Sequence, residues 1–312
     1  MCETRMPKIA YLFLVYKNAD FVYHTCKMLE GKDTYFYIHV DSGSKESFKE
    51  LENNPHVKLA KERYKCEWGK GGIVYAIMSS IKAILSLWDT EYIILMSESD
   101  YPVKSPDYIK SYLRKQDCDF CSFQKLPHNK WLEGGYRRVH CYALHYGNKQ
   151  AATIEPKVLN WGNIRQFGKL LLQSPASIPK AIKMLFYPPR QKPTGLEWCG
   201  GDLWFTIKGE TAKLMVDYVQ RDPQILKESD LGICMDEVAI PTLIEAFSKK
   251  RINSILRYVN WPKTQSNSPL FFNDTAEDRA IIKDCISNPD ILFIRKVDNE
   301  LLQEYIDSNI EM

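Results

Sequence analysis

The chain of 312 residues lacks any hydrophobic run long enough to cross a bilayer. Its first apolar stretch, residues 9–16, has the length of a strand, whereas a membrane-spanning helix needs about 20 residues. No secretory signal precedes this stretch. We therefore expect a soluble protein of the cytoplasm.

Concentrated positive charge and ordered cysteine spacing are also missing. The formal net charge is +3 and no Lys/Arg cluster occurs, which argues against a nucleic-acid partner. The nine cysteines are irregularly spaced, and the CxxC of Cys118 and Cys121 has neither a second CxxC nor His residues at ligand spacing. We expect reduced thiols, with these two on a buried strand, and no zinc site.

What the chain does have is enough apolar material for a core, since 45% of its residues are hydrophobic. Apolar runs of strand length alternate with helical patterns in the first third, which predicts a mainly parallel sheet flanked by helices. The predicted strands are 9–16, 35–40, 57–60, 92–96, 119–123, 203–207, 256–259 and 292–294. The predicted helices are 19–29, 44–51, one that begins at 71, 106–114, 161–172, 178–186, 210–220 and 236–247.

Four segments place polar groups after apolar residues in a fixed order. YFYIHVD (35–41) and EYIILMSESDYPVKS (91–105) are predicted buried strands that end in polar residues. CMDE (234–237) supplies Glu237, a carboxylate suited to general-base work, and LFIRKVD (292–298) supplies Arg295 and Lys296 for a diphosphate. Polar strand ends, one base and fixed positive charge suit an enzyme that transfers sugar from a nucleotide diphosphate.

Together these segments resemble the family of core-2/I-branching β-1,6-N-acetylglucosaminyltransferases and peptide xylosyltransferases (glycosyltransferase family 14). The matching segments, in the family's order, are YFYIHVD, SESDYP, CGGDLWFTI, MDE, LRYVNWP and FIRKVD. The resemblance implies one GT-A-type α/β domain over 1–312. Residues 1–125 would form its nucleotide-binding half, and 126–312 its acceptor and catalytic half.

The resemblance also implies an activity. The expected reaction is inverting transfer of a sugar, N-acetylglucosamine first and xylose next, from a UDP-sugar to a saccharide or lipid-linked glycan acceptor of a surface glycan. Family members work without a metal, so no metal cofactor is expected. Eukaryotic members carry a transmembrane anchor, which this sequence does not show, so we expect a soluble bacterial relative.

Roles for individual residues follow from the resemblance. Glu237 would be the catalytic base. The donor-binding residues would be Ile38, His39, Val40, Arg63, Tyr92, Asp100, Arg295 and Lys296. Lys296 is the favoured diphosphate contact, with Arg295 and Arg279 as candidates for a second one. The residues at the transferred sugar and the acceptor would be Gly201, Asp202, Trp204, Lys125 and Arg137. Gln124 stands where the family has an acceptor-binding Glu, so a mucin-core acceptor is not expected.

Alternatives remain open for several of these residues. Glu98 and Asp100 have the spacing of a DxD motif, which would make the transferase metal-dependent. Glu237 can also be a simple acidic residue in a first helical turn. A third possibility is a non-catalytic protein that binds nucleotide sugars. The basic amphipathic stretch 178–192 predicts weak contact with an anionic membrane surface, with packing on the core as the alternative.

Overall fold

The apolar runs of the sequence form the strands of one large sheet, in a computed structural model that describes residues 6–262 and 268–310. The strands are β1 (Ile9–Val15), β2 (Thr34–Val40), β3 (Val57–Leu59), β4 (Tyr92–Ser97), β5 (Asp100–Pro102), β6 (Asp119–Cys121), β7 (Gln124–Lys125), β8 (Tyr142–Gly147), β9 (Gln150–Ile154), β10 (Cys199–Gly200), β11 (Phe205–Lys208), β12 (Arg251–Ile252), β13 (Arg257–Val259) and β14 (Phe293–Arg295). The helices are α1 (Ala19–Met28), α2 (Gly72–Leu87), α3 (Pro106–Gln116), α4 (Tyr136–His140), α5 (Trp161–Gln173), α6 (Ile178–Met184), α7 (Gly209–Arg221), α8 (Gln224–Leu231), α9 (Asp236–Phe247), α10 (Ala276–Ser287) and α11 (Glu300–Asp307).

The main sheet has seven strands among the described residues, in the order β12-β6-β11-β4-β1-β2-β3. β1 pairs in parallel with β2 and β4, β2 with β3, and β6 with β12. Only β11 runs antiparallel, between β4 and β6. The predicted α/β fold with a mainly parallel central sheet is confirmed.

Both faces of the sheet are buried, which explains the continuous apolar runs of the central strands. Along β1, Ala10 and Leu12 pack in the core beneath α2, α7 and α9, whereas Ile9, Tyr11 and Phe13 pack in the core beneath α1 and α3. Side chains of a strand alternate between faces, so an unbroken apolar run fills both cores at once.

Two smaller sheets complete the part that carries the candidate site. In one, β14 lies between β13 and β5, with Arg295 opposite Asp100 in the antiparallel register. The other is the β8–β9 hairpin, which packs with α5 and α6 around its own core of Leu144, Ile154 and Leu170. No strand was predicted over 142–154, so this hairpin is a finding of the structure.

Element bounds agree with the sequence except at a few places. The predicted helix over 44–51 is wrong: Asp41 to Ser44 form a turn, and only Lys49–Asn53 is helical, as a short 3₁₀ segment. Helices α4, α8, α10 and α11 and the short strands β5, β7, β10 and β12 were not predicted. The Cys118 and Cys121 thiols are free and buried, and among the described residues no group of three potential metal ligands occurs. No helix in the described ranges is long and apolar enough to span a bilayer.

Candidate active site

A cavity of about 890 Å³ lies beyond the carboxyl ends of β1, β2 and β4. The chain leaves β1 toward β2 on one side and returns to β4 on the other, so the cavity sits where the strand order reverses. This is the usual ligand position in open α/β sheets, and the volume suits a ligand of nucleotide-sugar size. Its walls include Val15, His39, Asp41, Ser97, Glu98, Lys149, Trp204 and Arg295.

Asp100 is the fully buried centre of an ion network behind this wall. Its Oδ1 accepts a hydrogen bond from Arg257 (3.0 Å), and its Oδ2 accepts from Arg295 (3.0 Å) and from the Ser97 amide (2.7 Å). Both carboxylate oxygens are therefore committed to arginines. Asp100, predicted as a donor contact and as one residue of a possible DxD motif, is not among the residues that line the cavity.

Arg295 is a cation of the cavity wall that the protein holds in place. Its guanidinium lies 4.1 Å from the centre of the Trp204 ring and donates to Ser97 Oγ (2.5 Å) as well as to Asp100. The buried Arg257 lies over the same ring at 4.6 Å. Stacking and ion pairing hold Arg295 in one orientation, so positive charge at the wall is preorganised. Arg257 was not predicted; an arginine inside an apolar strand was the signal.

Lys296 takes a different direction. Its ammonium group donates to Ser268 (2.9 Å) and lies 5.2 Å from the Phe271 ring, and it is not among the cavity-lining residues. Burial, followed by the charge of Arg295, lowers the pKa of Lys296. Of these two predicted diphosphate contacts, Arg295 lines the cavity and Lys296 does not.

His39 lines the cavity from the end of β2. Its Nε2 accepts a hydrogen bond from the Tyr64 amide (2.9 Å), and burial lowers its pKa, so the ring is neutral at pH 7 with its proton on Nδ1. Nδ1 is buried and has no hydrogen-bond partner among the described residues. A buried donor without a partner at a cavity wall is suited to a ligand acceptor.

The other predicted donor contacts lie outside the cavity. Ile38 and Val40 pack in the core. The Nε of Arg63 donates a hydrogen bond to the Val40 carbonyl (2.9 Å). Tyr92 is at the wrong end of the sheet, because it begins β4 whereas the cavity adjoins Ser97, five residues or roughly 16 Å away. The Tyr92 hydroxyl donates to the Leu113 carbonyl, so its role as a nucleoside contact is corrected.

Glu98 is a buried acidic group of the wall. Burial raises its pKa to about 7, and the positive charge of Arg295 opposes this only in part. Near neutral pH the side chain therefore exchanges between a neutral and an ionised form.

Glu237 stands in the first turn of α9, partly exposed. Its Oε2 accepts a hydrogen bond from Arg138 (2.5 Å), and its carbonyl accepts from the Gly201 amide (2.9 Å), two residues before the cavity-lining Leu203. Oε1 has no hydrogen-bond partner among the described residues, so one oxygen stays free to take a proton. Glu237 itself is not among the residues that line the cavity.

Asp236, its neighbour, is buried. Burial, and then the charge of Glu237, raises the pKa of Asp236 to about 7. Asp236 is therefore the second carboxyl group to consider in this turn.

Arg138 is the cation that contacts Glu237, next to Arg137, which the resemblance placed at the acceptor. Arg137 points away, to Glu133 (2.9 Å) and Thr153 (3.3 Å). Arg138 also stacks on Trp131, 4.5 Å from its ring centre. Helical periodicity separates neighbours by about 100°, but the sequence does not show which one faces the site.

Among the other predicted sugar and acceptor residues, Trp204 alone lines the cavity. Lys125 and Asp202 are exposed, and the Lys125 ammonium lies 3.9 Å from Glu245. Gly201 is buried against the Ser122 carbonyl, where a Cβ atom would come within 1.8 Å of the oxygen. Gly201 thus has a structural reason to be glycine.

Arg190 belongs to the stretch 178–192, for which the sequence predicted membrane contact. It is buried in an ion pair with Glu228 (2.8 Å) and donates to the Arg138 carbonyl (2.6 Å). Lys192 pairs with Glu197 (2.5 Å). Two of the four cations in that stretch are therefore engaged within the protein.

Comparison with known proteins identifies the family. The family model described as Branch: Core-2/I-Branching enzyme matches residues 9–281. The chain belongs to this family. The sheet described above agrees with the α/β class predicted from the sequence.

Curated relatives of this Core-2/I-branching chain include two xylosyltransferases. The Xylosyltransferase of Ciona intestinalis is 29% identical over 145 residues, 44% of this chain, and Xylosyltransferase oxt of Drosophila melanogaster is 31% identical over 117 residues, 36% of this chain. These matches span 17% and 13% of the relatives' length. A crystal structure of the galactosyltransferase LgtC covers 97% of both chains at 9% identity, with a TM-score of 0.38, too low to bear on function.

Proposed function

We propose that this protein is an inverting glycosyltransferase that moves a sugar from a UDP-sugar to a saccharide acceptor. The observation that carries the proposal is the cavity beyond β1, β2 and β4, with Arg295 held at its wall by Asp100 and Trp204. Departure of a nucleoside diphosphate places negative charge on its terminal phosphate. A fixed guanidinium at that point stabilises the transition state more than the ground state.

Glu237 is the proposed base. Its free Oε1 would take the proton of the acceptor hydroxyl as that oxygen attacks the anomeric carbon, while Arg138 keeps the other oxygen in place. Inversion needs one base, because the nucleotide leaves from the opposite face of the sugar. The Gly201 amide, bonded to the Glu237 carbonyl, links this turn to the segment that ends at Trp204.

We further propose that transfer is metal-independent, since Asp100 is committed to two arginines and Arg295 supplies the positive charge. UDP-N-acetylglucosamine and UDP-xylose are the first donors to test, and the names of the relatives add weight to xylose. The proposed acceptor is an oligosaccharide or lipid-linked glycan of a bacterial surface, reached from the cytoplasm.

The test is turnover of labelled UDP-sugars by the wild type and by Glu237→Gln. We expect the variant to keep its fold and donor binding and to lose about 10²–10⁴-fold in turnover, the usual range for one general base. Donor binding is followed by thermal shift, because ligand at 100 times its Kd adds about 2.7 kcal/mol of stability. Glu197→Gln, which also removes an exposed carboxylate paired with a cation, is the matched control.

Two outcomes would contradict the proposal. Normal turnover by Glu237→Gln, with loss in Asp236→Asn, would move the base to Asp236. Donor binding without turnover by the wild type, over a panel of saccharide acceptors, would favour a nucleotide-sugar-binding protein instead.

A further inference from the structure

One segment of the chain carries positive charge alone. Between Glu155 and Glu197 there are seven Lys or Arg residues and no Asp or Glu, whereas the whole chain has a net charge of only +3. The remainder of the protein is therefore net negative. A segment so unlike the rest in charge is a candidate for contact with an anionic partner.

The structure builds this segment into helices α5 and α6, packed on the β8–β9 hairpin. The inner face of α5 contributes Leu170 and Phe167 to the core beneath it, and α6 contributes Ala181 and Met184. These contacts account for one face of α5 and leave the other unexplained.

The outer face of α5 is also apolar. Trp161 and Leu172 are 85% and 88% exposed, and Ile164 and Leu171 are exposed on the same side at positions i+3 and i+10 from Trp161. Arg165 and Lys169 lie along one edge of this stripe. A helix that is apolar on both faces is normally covered on both, yet no described residue covers this one.

Neighbouring segments extend the same kind of surface. Leu159, just before α5, is 72% exposed, and Phe186, just after α6, is 71% exposed. The Lys157 ammonium donates to the Phe186 carbonyl (3.0 Å), so the two flanks lie together. We call these six residues the α5–α6 face: Leu159, Trp161, Ile164, Leu171, Leu172 and Phe186.

Cations adjoin the face without an acidic partner. Lys180 and Lys183 of α6 are exposed and form no ion pair among the described residues, and the same holds for Arg165. Exposed Trp, Phe and Leu with unpaired Lys and Arg beside them is the composition of a helix that lies in a membrane interface. Nucleic acid is bound mainly through its phosphates, so exposed leucines would contribute little to that binding. An acidic protein partner would not require so continuous an apolar stripe.

We propose that the α5–α6 face binds the surface of an anionic lipid bilayer. The apolar side chains would enter the boundary between headgroups and acyl chains, and the flanking cations would contact anionic headgroups. The hairpin beneath the face ends in Gly147 and Lys149, which line the cavity. If the proposed function holds, this arrangement brings the cavity to a lipid-linked acceptor.

Flotation with lipid vesicles tests the face without any need for activity. Wild type should float with phosphatidylglycerol-containing vesicles at low salt, much less with phosphatidylcholine alone, and less at high salt. Trp161→Ser/Leu172→Ser should reduce the bound fraction at least tenfold. Leu132→Ser/Leu301→Ser, which removes two exposed apolar side chains elsewhere, should float like wild type.

The charge requirement has its own pair of variants. Lys180→Glu/Lys183→Glu should weaken binding to anionic vesicles at least tenfold, and Lys82→Glu/Lys213→Glu, two exposed lysines on other helices, should not. Absence of wild-type flotation at low salt would overturn the proposal. So would dimerisation that Trp161→Ser abolishes in a protein that never floats, because a second copy would then be the occupant. Turnover on a soluble acceptor tests the proposed function separately.

Discussion

At the scale of single residues, Arg295 supplies the fixed positive charge at the cavity wall on which the proposed mechanism depends. Arg295→Gln keeps hydrogen-bonding capacity but removes the charge, and we expect it to lose about 2–4 kcal/mol of transition-state stabilisation. The measurement is kcat/KM in the presence of EDTA, where the wild type should remain active. Lys296→Met should lose less, since Lys296 points to Ser268.

Arg279→Ala is the matched control for Arg295, because this arginine is exposed and paired with Asp274 away from the cavity. Its rate should equal that of the wild type. Loss of activity in EDTA with recovery in manganese would contradict metal independence, and Glu98 would then be the first ligand to examine.

Glu98 provides the pH dependence. Its pKa is about 7 in the folded protein against 4.5 in the unfolded chain. Between these values the unfolded state releases the proton and the folded state keeps it, so the stability present below pH 4.5 is lost as pH rises to 7. The loss is about 3 kcal/mol at pH 8.

Glu98→Gln removes that loss. Its Tm should exceed the wild-type Tm at pH 8, and the difference should vanish near pH 4.5. Glu50→Gln, at an exposed position, should follow the wild type at both values. An unchanged Tm difference across the pH range would show that Glu98 ionises normally.

At the scale of elements, the approach of β10 to the start of α9 depends on Gly201. An alanine Cβ would meet the Ser122 carbonyl at 1.8 Å, so Gly201→Ala must displace this segment and stretch its bond to the Glu237 carbonyl. We expect a loss of about 1–3 kcal/mol in the free energy of unfolding, together with lower turnover.

Gly168 serves as the comparison, measured in the same urea titrations. It lies inside α5 with open space where an alanine methyl group would stand, so Gly168→Ala should stabilise the protein by about 0.5–1 kcal/mol. Equal stability of Gly201→Ala and the wild type would mean that the β10 segment yields without affecting α9.

At the scale of the whole molecule, the two halves drawn at residue 125 share one sheet. β11, from the second half, lies between β4 and β6 of the first, and β12 extends the sheet at its edge. The boundary at 125 therefore divides the chain by sequence and not by packing. Charge is uneven on the same scale, since the 156–196 segment is basic while the remainder is net acidic.

The sequence by itself determined the strands and helices of the sheet and the family. Runs such as 9–16 and 92–96 are continuously apolar because both faces of these strands are covered. Such a run predicts a buried strand even when the residues that pack on it are unknown. Polar residues at predicted strand and helix ends also indicated His39, Glu237, Arg295 and Lys296, because parallel strands open to solvent there. Trp204 was indicated by the family resemblance.

Tertiary structure alone decided which of these groups meet. Glu98 and Asp100 have the spacing of a DxD motif in the sequence. Only the pairing of Asp100 with Arg257 and Arg295, 157 and 195 residues away, shows that both its oxygens accept hydrogen bonds from arginines. Tertiary contacts also decide that Arg138 and not Arg137 meets Glu237, and that Tyr92 lies at the end of β4 away from the cavity. The exposure of Trp161 likewise depends on which residues pack against it. Such contacts join residues distant in sequence, so no local pattern encodes them.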